Sequence, residues 1–450
     1  MSHLNHDIYV HYLCYAKFSK GGQTNLLRNS NLQDKTMKRT RNIAVTVATA
    51  FSLVLGFAAA ASAETKVTLN DFYRPFELSD ITPKNMQKWP YYRYTSMNWD
   101  EYGLFGTVHV MASKSPAKLS VADKLFDIQQ KLPDGRSFVE SLTATQAKGF
   151  LILKDNVILA EFYDNAFSRN QTQLLQSSSK TYAGIVASKL IDAGKLDPNK
   201  TVESYLPDFK GSKIGKAKVQ HVLDMQAGLL PATDYHVPGG EAFMFEIEQG
   251  MKQGDPTGHR KAIINTKTQN APGEIYNYND KNTDLLAILA EEITGQPFHK
   301  LLSDIFDDFG ATSNGSIAMT VDGTASPAYG ISTTLRDYAL FHQWIAEGKA
   351  PKSFYASVQD VDKDLLAESE KGKGMKAALG TPITYGSQGW YLPEHKIILS
   401  VGSYGQLGFS DLDSGISVVF MQDWEDNAVT EKLAATVARA LFVIDALGSK

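Results

Sequence analysis

Cysteine is almost missing from this chain, with a single residue, Cys14, among 450. One thiol makes no internal disulfide. It also lies in an N-terminal stretch read below as removed, which leaves no thiol nucleophile and no lipid-anchoring cysteine. Metal-ligand spacing is missing too. From residue 64 onward the histidines stand at 109, 221, 236, 259, 299, 342 and 395, with no His-x-His, His-x-x-x-His or His-Glu-x-x-His among them. The sequence has no Gly-x-Ser-x-Gly elbow and no Walker-type phosphate loop. Neither a metal nor a cofactor is expected.

An excess of one charge sign is also lacking, since 45 Lys and Arg face 49 Asp and Glu. Seven of those basic residues but only two of the acidic ones fall in residues 1–63, so the remainder carries a net charge of −9. That balance offers no attraction to nucleic acid or to an anionic membrane surface. Four lysines between Lys210 and Lys218, interspersed with glycine and serine, read as a solvated loop.

The chain has one long apolar run, IAVTVATAFSLVLGFAAA. It follows the basic Met37-Lys38-Arg39-Thr40-Arg41 and precedes Ala61-Ser62-Ala63. This order is that of a secretory signal peptide over 37–63, with an Ala-x-Ala cleavage site. Residues 1–36 read as an over-extended, unstructured start. The expected product is periplasmic or secreted, with no membrane association after cleavage. Oligomeric state is not legible.

What is present suits a globular chain, 43% hydrophobic and 21% charged. No tandem repeat or clean linker divides it. FLILKDNVILAEFY, residues 150–163, predicts a hairpin turning at Asp155-Asn156. QSSSKTYAGIVASKLIDAGKL, from Gln176, predicts a central helix. Val186, Leu190 and Ile191 form one face of it, while Ala183, Gly184 and Ala187 keep the other thin. TDLLAILAEEITG buries Leu285, Leu286, Ile288 and Leu289 and stops at Gly295. Thr334 and Asp337 fit a helix cap.

The stretch from Gly389 to Trp424 reads as three strands, with turns at Pro393-Glu394-His395 and Asp413-Ser414-Gly415. Val429, Leu433, Val437, Leu441 and Ile444 mark a terminal amphipathic helix. The expected class is α+β, an antiparallel sheet flanked by helices. Residues 64–180 and 310–450 would form the sheet region, and 181–309 a mainly helical insertion.

Ser177 and Lys180 stand three apart, on one helical face and about 5 Å along the axis from each other. A hydroxyl at a helix N-terminus gains from the positive end of the dipole, and a desolvated lysine beside it favours its neutral form. The pair therefore reads as nucleophile and base. A second Ser-x-x-Lys, Ser115 to Lys118, encloses Pro116 and is expected to be a helix cap.

LLQSSSKTYAGIVASKL, VLDMQAGL, APGEIYNYNDKNTDLLAILAEEITGQPF and YGISTTLRDYALF together resemble the class C β-lactamase-like serine hydrolases of the penicillin-binding-protein-like superfamily. Within it, residues from about Ala147 to the C-terminus are most similar to the 6-aminohexanoate-dimer hydrolase and esterase branch. The resemblance implies a β-lactamase/transpeptidase-like fold and an acyl-enzyme on Ser177, assisted by Lys180. It also implies a proton-relaying Tyr278, with Tyr276 as the alternative, and an accessory Tyr235.

Asp280 stands where the Tyr-x-Asn motif has asparagine. Such a carboxylate near Lys180 would hold the lysine charged. Ser403-Tyr404-Gly405 stands where Lys-Thr-Gly or His-x-Gly is usual, so that strand supplies no cation. The backbone amides of Ser177 and Gln406 would form the oxyanion hole. Asp280, Ser403, Tyr404 and Gly405 are the further substrate-binding candidates. The substrate class is a small amide or ester, with neutral acyl groups expected over β-lactams. A D-alanyl-D-alanine carboxypeptidase-like or β-lactamase activity and an inactive peptide-binding relative are the alternatives. Asp224 and Arg336 are expected to be structural.

Overall fold

The computed structural model describes residues 76–164 and 167–448. The start at 1–36, the signal peptide at 37–63 and Cys14 lie outside the described residues. In chain order the strands are β1 (Thr107–Val110), β2 (Ser120–Val121), β3 (Ala147–Lys154), β4 (Val157–Tyr163), β5 (Thr172–Leu174), β6 (Gly315–Ala318), β7 (Ile331–Thr334), β8 (Thr384–Gly386), β9 (Gly389–Leu392), β10 (Ile397–Gly402), β11 (Gln406–Asp411) and β12 (Ser417–Gln422). The helices used below are α1 (Phe138–Ala144), α2 (Lys180–Asp192), α3 (Glu241–Glu248), α4 (His259–Ile264), α5 (Asp280–Thr294), α6 (Phe298–Asp308), α7 (Leu335–Ala346), α8 (Lys352–Val358), α9 (Glu370–Leu379) and α10 (Thr430–Gly448).

The hairpin forms where its two apolar runs meet. Asp155 and Asn156 adopt φ of 51° and 61°, the left-handed pair that a two-residue turn requires, and Lys154 faces Val157 across it. β3 and β4 belong to an eight-stranded sheet of order β2-β4-β3-β12-β11-β10-β9-β8. Only the short β2–β4 pair in it is parallel.

Side-chain alternation splits the core in two. Leu151, Leu153, Val419 and Met421 face one apolar cluster, built with α2, α5 and α7. Phe150, Ile152, Val418 and Phe420 face the other, built with α1 and α10. The amphipathic spacing of α10 places Val437, Ala440, Val443 and Ile444 in this second layer.

Two features differ from the sequence reading. The stretch after Gly389 forms four strands, because a turn at Ser403-Tyr404-Gly405 breaks the central run, with φ of 61° at Tyr404 and 90° at Gly405. A second, four-stranded antiparallel sheet of order β1-β6-β7-β5 also forms. Strands lie before residue 175 and after 314, and among residues 181–309 only isolated bridges occur. Among the described residues no helix is long and apolar enough to cross a membrane.

α2 is buried along almost its whole length, and Tyr182 stacks on Phe341 of α7 at 3.6 Å between ring centroids. Gly184 lets the β8–β9 turn approach closely, since a Cβ there would stand 1.9 Å from the Ser387 carbonyl oxygen. α5 ends at Gly295 in the left-handed conformation, its N–H donating to Glu291. Thr334 caps α7 by accepting from the Asp337 N–H.

Residues 115–118 form no helix and run as irregular chain toward β2, because Ser113 and Lys114 are held by the Asp307 carboxylate of α6 instead. Arg336 pairs bidentately with Glu161 at 2.6 and 2.7 Å. Asp224 accepts from the Ser387 N–H and the side chains of Gln220 and Ser357.

Candidate active site

The three serines ahead of α2 divide their work. β5 hands the chain over through Gln176, whose left-handed backbone (φ 52°) starts the tight turn Gln176–Ser179 and whose side-chain amide donates to the Tyr92 hydroxyl. Ser178 Oγ donates to the Gln406 carbonyl at 2.7 Å, tying this turn to the start of β11. Ser179 Oγ accepts from the Ile331 N–H of β7 at 3.1 Å. Ser177 alone keeps its hydroxyl for Lys180, whose Nζ donates to it at 3.1 Å.

Lys180 is buried, and its ammonium has two further partners. The Ala328 carbonyl accepts from it at 2.6 Å, and Asp280 Oδ1 lies 2.7 Å away. Burial works against the charge, but the Asp280 carboxylate and the Tyr278 oxygen outweigh it and raise the lysine pKa above its ordinary value. The expectation of a neutral amine from desolvation is therefore corrected: Lys180 is an ammonium at rest.

Tyr278 is carried by the segment that enters α5. Asn277 N–H donates to the Met225 carbonyl and its side chain to Leu229, Asn279 Nδ2 donates to Leu230, and the Tyr278 carbonyl accepts from Ala232. Asn279 also caps α5, accepting from the Lys281 N–H. Burial raises the Tyr278 pKa, against the charge of Lys180 and the hydrogen bonding of Ser177 and Lys180 to the phenol. The raised pKa keeps the phenol protonated, and its ring centroid lies 5.0 Å from Lys180 Nζ. Tyr276 points elsewhere, buried against Tyr385 with its hydroxyl unsatisfied.

Of the other candidates, Tyr235 joins the site through Asp280, donating to Oδ2 at 3.2 Å. Gln406 is brought beside the Ser177 turn by the Ser178 bond. Tyr404 and Gly405 are corrected as substrate contacts. The Tyr404 hydroxyl donates to the Gln87 carbonyl and its ring stacks on Tyr92 at 3.7 Å, while a Cβ on Gly405 would meet Trp424. Both pack into the protein because the turn carrying them is left-handed. Ser403 is half-buried at that turn.

Two contributors were missed in the sequence. Asp284, four residues past Asp280 on α5 and fully buried, accepts from the Ala328 N–H at 3.0 Å and from Ser326, Gln249 and His259. It thereby fixes the carbonyl that caps Lys180. The Asp280/Asp284 spacing, one helical turn, was a visible signal of a shared face.

Lys371 of α9 is the second. Its Nζ lies 3.9 Å from the centroid of the Tyr278 ring and 5.5 Å from that of Trp390. Lys371 is solvent-exposed, and desolvation of its ammonium where the rings crowd it, followed by repulsion from Lys180, brings its pKa down to about 8. The strand offers no cation at Ser403, and α9 places the Lys371 ammonium beside the Tyr278 ring. A cavity of about 350 Å³ beside Pro231, Glu241 and Asn279 includes neither Ser177 nor Lys180 in its lining.

No group of three or more His, Cys, Asp or Glu among the described residues is arranged to hold a metal ion. The fold is β-lactamase/transpeptidase-like, with the serine, lysine and tyrosine of that superfamily's motifs assembled at one place. The chain belongs to the Beta-lactamase family, which matches residues 165–441.

It is 28% identical over 316 residues to the 6-aminohexanoate-dimer hydrolase of Paenarthrobacter ureafaciens, covering 68% of this chain and 78% of that protein. A Bacillus anthracis structure, proposed to be a 6-aminohexanoate-dimer hydrolase, superposes with a TM-score of 0.72 at 20% identity, covering 82% of this chain and 98% of the other. An Escherichia coli K12 protein proposed to be a D-alanyl-D-alanine carboxypeptidase is 26% identical over 180 residues, which covers 36% of this chain and 41% of that one. The chain is thus a Beta-lactamase-family hydrolase related to 6-aminohexanoate-dimer hydrolase and to D-alanyl-D-alanine carboxypeptidase-like proteins.

Proposed function

We infer that this protein is an exported serine hydrolase that cleaves a small amide or ester through an acyl-enzyme on Ser177. The observation that carries the reading is the Lys180 ammonium, held between Ser177 Oγ at 3.1 Å and Asp280 at 2.7 Å, with the Tyr278 ring centroid 5.0 Å away. Because Lys180 is charged at rest, it serves as an electrostatic anchor and the proton travels through the phenol.

Ser177 Oγ attacks the carbonyl carbon as its proton passes to Tyr278, and Tyr278 releases its own proton to the leaving nitrogen or oxygen. The two transfers are concerted, with donation to the leaving atom running ahead of uptake from Ser177, and Lys180 stabilises the phenolate character that this gives Tyr278. The amides of Ser177 and Gln406 are the donors for the tetrahedral oxyanion. Departure of the amine or alcohol leaves an ester on Ser177. Water then adds to that ester, passing its proton back through Tyr278 to Ser177 Oγ, and the acid is released.

A fluorophosphonate probe followed by peptide mapping is expected to label Ser177. Ser177→Ala and Tyr278→Phe should each reduce turnover of an aryl ester by about 100-fold or more. An unlabelled Ser177 in an inactive protein would favour the peptide-binding alternative, whereas full activity without its hydroxyl would remove the Ser177 mechanism outright. The relationship to the E. coli protein supports a second reading, cleavage of D-alanyl peptides, which release of D-alanine from a peptidoglycan mimic would test. Export rests on the signal-like segment, and a mature N-terminus at Glu64 in a periplasmic or culture fraction is the expected finding.

A further inference from the structure

We propose that Lys371 is a specificity-determining residue that binds a carboxylate on the leaving-group side of the substrate. The inference rests on the hydrolase reading for the meaning of leaving group, and its first support is position. Tyr278 is the residue that hands a proton to the departing atom, and Lys371 Nζ lies 3.9 Å from the centroid of that same ring. A cation so placed is within a few bonds of whatever the departing atom carries, and Trp390, 5.5 Å away, gives that fragment an aromatic floor.

The second support is the missing partner. Neighbouring charges on α9 pair with each other, Lys373 with Glu370. Lys371 makes no ion pair with a carboxylate among the described residues, and its contacts are two aromatic faces. Lys180 repels it, and Asp280, which attracts it, is already engaged by Lys180 and Tyr235. An anion from the substrate would complete a charge-assisted contact that the protein leaves open.

The third support is what the strand lacks. Ser403 supplies no cation, and the adjoining Tyr404 hydroxyl is spent on Gln87. If an anion is gripped here, the grip comes from α9. The preference for neutral acyl groups inferred from Ser403 concerns the other side of the scissile bond and is unaffected.

The experiment compares two esters that differ only in leaving-group charge, 4-carboxyphenyl acetate and 4-carbamoylphenyl acetate. With Lys371 intact the carboxylate ester should have the lower KM. Lys371→Gln should raise that KM about tenfold or more and leave the carbamoyl ester within about twofold. Lys371→Arg should retain most of the preference. The same comparison is made as Kd in a Ser177→Ala background, by calorimetry, so that it does not depend on turnover. Loss of the carboxylate preference with Lys371→Gln in either measurement supports the proposal. An equal effect on both esters, or no preference with Lys371 present, overturns it. If neither ester is turned over while the Kd preference follows Lys371, the hydrolase reading fails and the anion site stands.

Discussion

Asp280 decides what Lys180 can do. An asparagine at this position would hydrogen-bond the amine without fixing its charge, whereas the carboxylate 2.7 Å away raises the lysine pKa. The sign of an Asp280→Asn experiment follows from that. If catalysis needs the ammonium, activity is lost as pH rises through the Lys180 pKa. Removing the carboxylate lowers that pKa, so the alkaline limb of kcat/KM should move toward acid and activity at pH 9 should fall relative to pH 7. A rise in neutral-pH activity in this variant would instead make Lys180 the base and sink the relay through Tyr278. Ser177, Lys180 and Tyr278 were legible because short spacings and a local motif carry them. Lys371 was not, because KGKGMK has no pattern of its own and the lysine reaches the centre only through the tertiary placement of α9. Asp284 acts through a backbone carbonyl, which no side-chain motif records.

At the scale of elements, α2 is the part with least freedom. Replacing Gly184 with alanine would gain about 1 kcal/mol of helix propensity. The added Cβ would, however, stand 1.9 Å from a backbone oxygen of Ser387, which cannot rotate away as a side chain would. Overpacking of this kind costs about 1–3 kcal/mol or more, so the clash wins. Gly184→Ala is expected to be less stable in urea and to lose activity with it, since α2 begins at Lys180; an unchanged midpoint would mean that the β8–β9 turn yields freely. The β3–β4 hairpin and α10 were readable because a two-residue turn and a repeat of four leave strong local signals. The small sheet was not, since GSIA and ISTT are each only four residues long and buried on both faces, giving no alternation. The break between β10 and β11 was hidden for a related reason, because Tyr404 is a bulky residue in a backbone region where glycine is usual.

At the scale of the whole molecule, one buried histidine makes stability depend on pH. His342 of α7 lies between β10 and β11, hydrogen-bonded to Ser400 and Ser410 at 2.8 Å each, in space kept open by Gly408. Burial brings its pKa down to about 3. An unfolded chain has a histidine near 6.5, so below that value the unfolded state takes up a proton that the native state refuses. Stability should therefore fall as pH drops from about 6.5 toward 3, by up to about 1.4 kcal/mol per unit from this residue. Urea unfolding at pH 7, 6 and 5 should show that loss shrink in a His342→Gln variant. A difference between the two proteins that stays constant across the three pH values would remove His342 as the cause.

The family-matched span opens at residue 165, after the β3–β4 hairpin has already been laid into the middle of the eight-stranded sheet. A gene trimmed to that span would leave β12 without its neighbour, a raw edge of unpaired amides inviting aggregation. Tyr92, against which both Gln176 and Tyr404 rest, would be cut away as well. The edge of the family match and the edge of what can fold are different places in this protein.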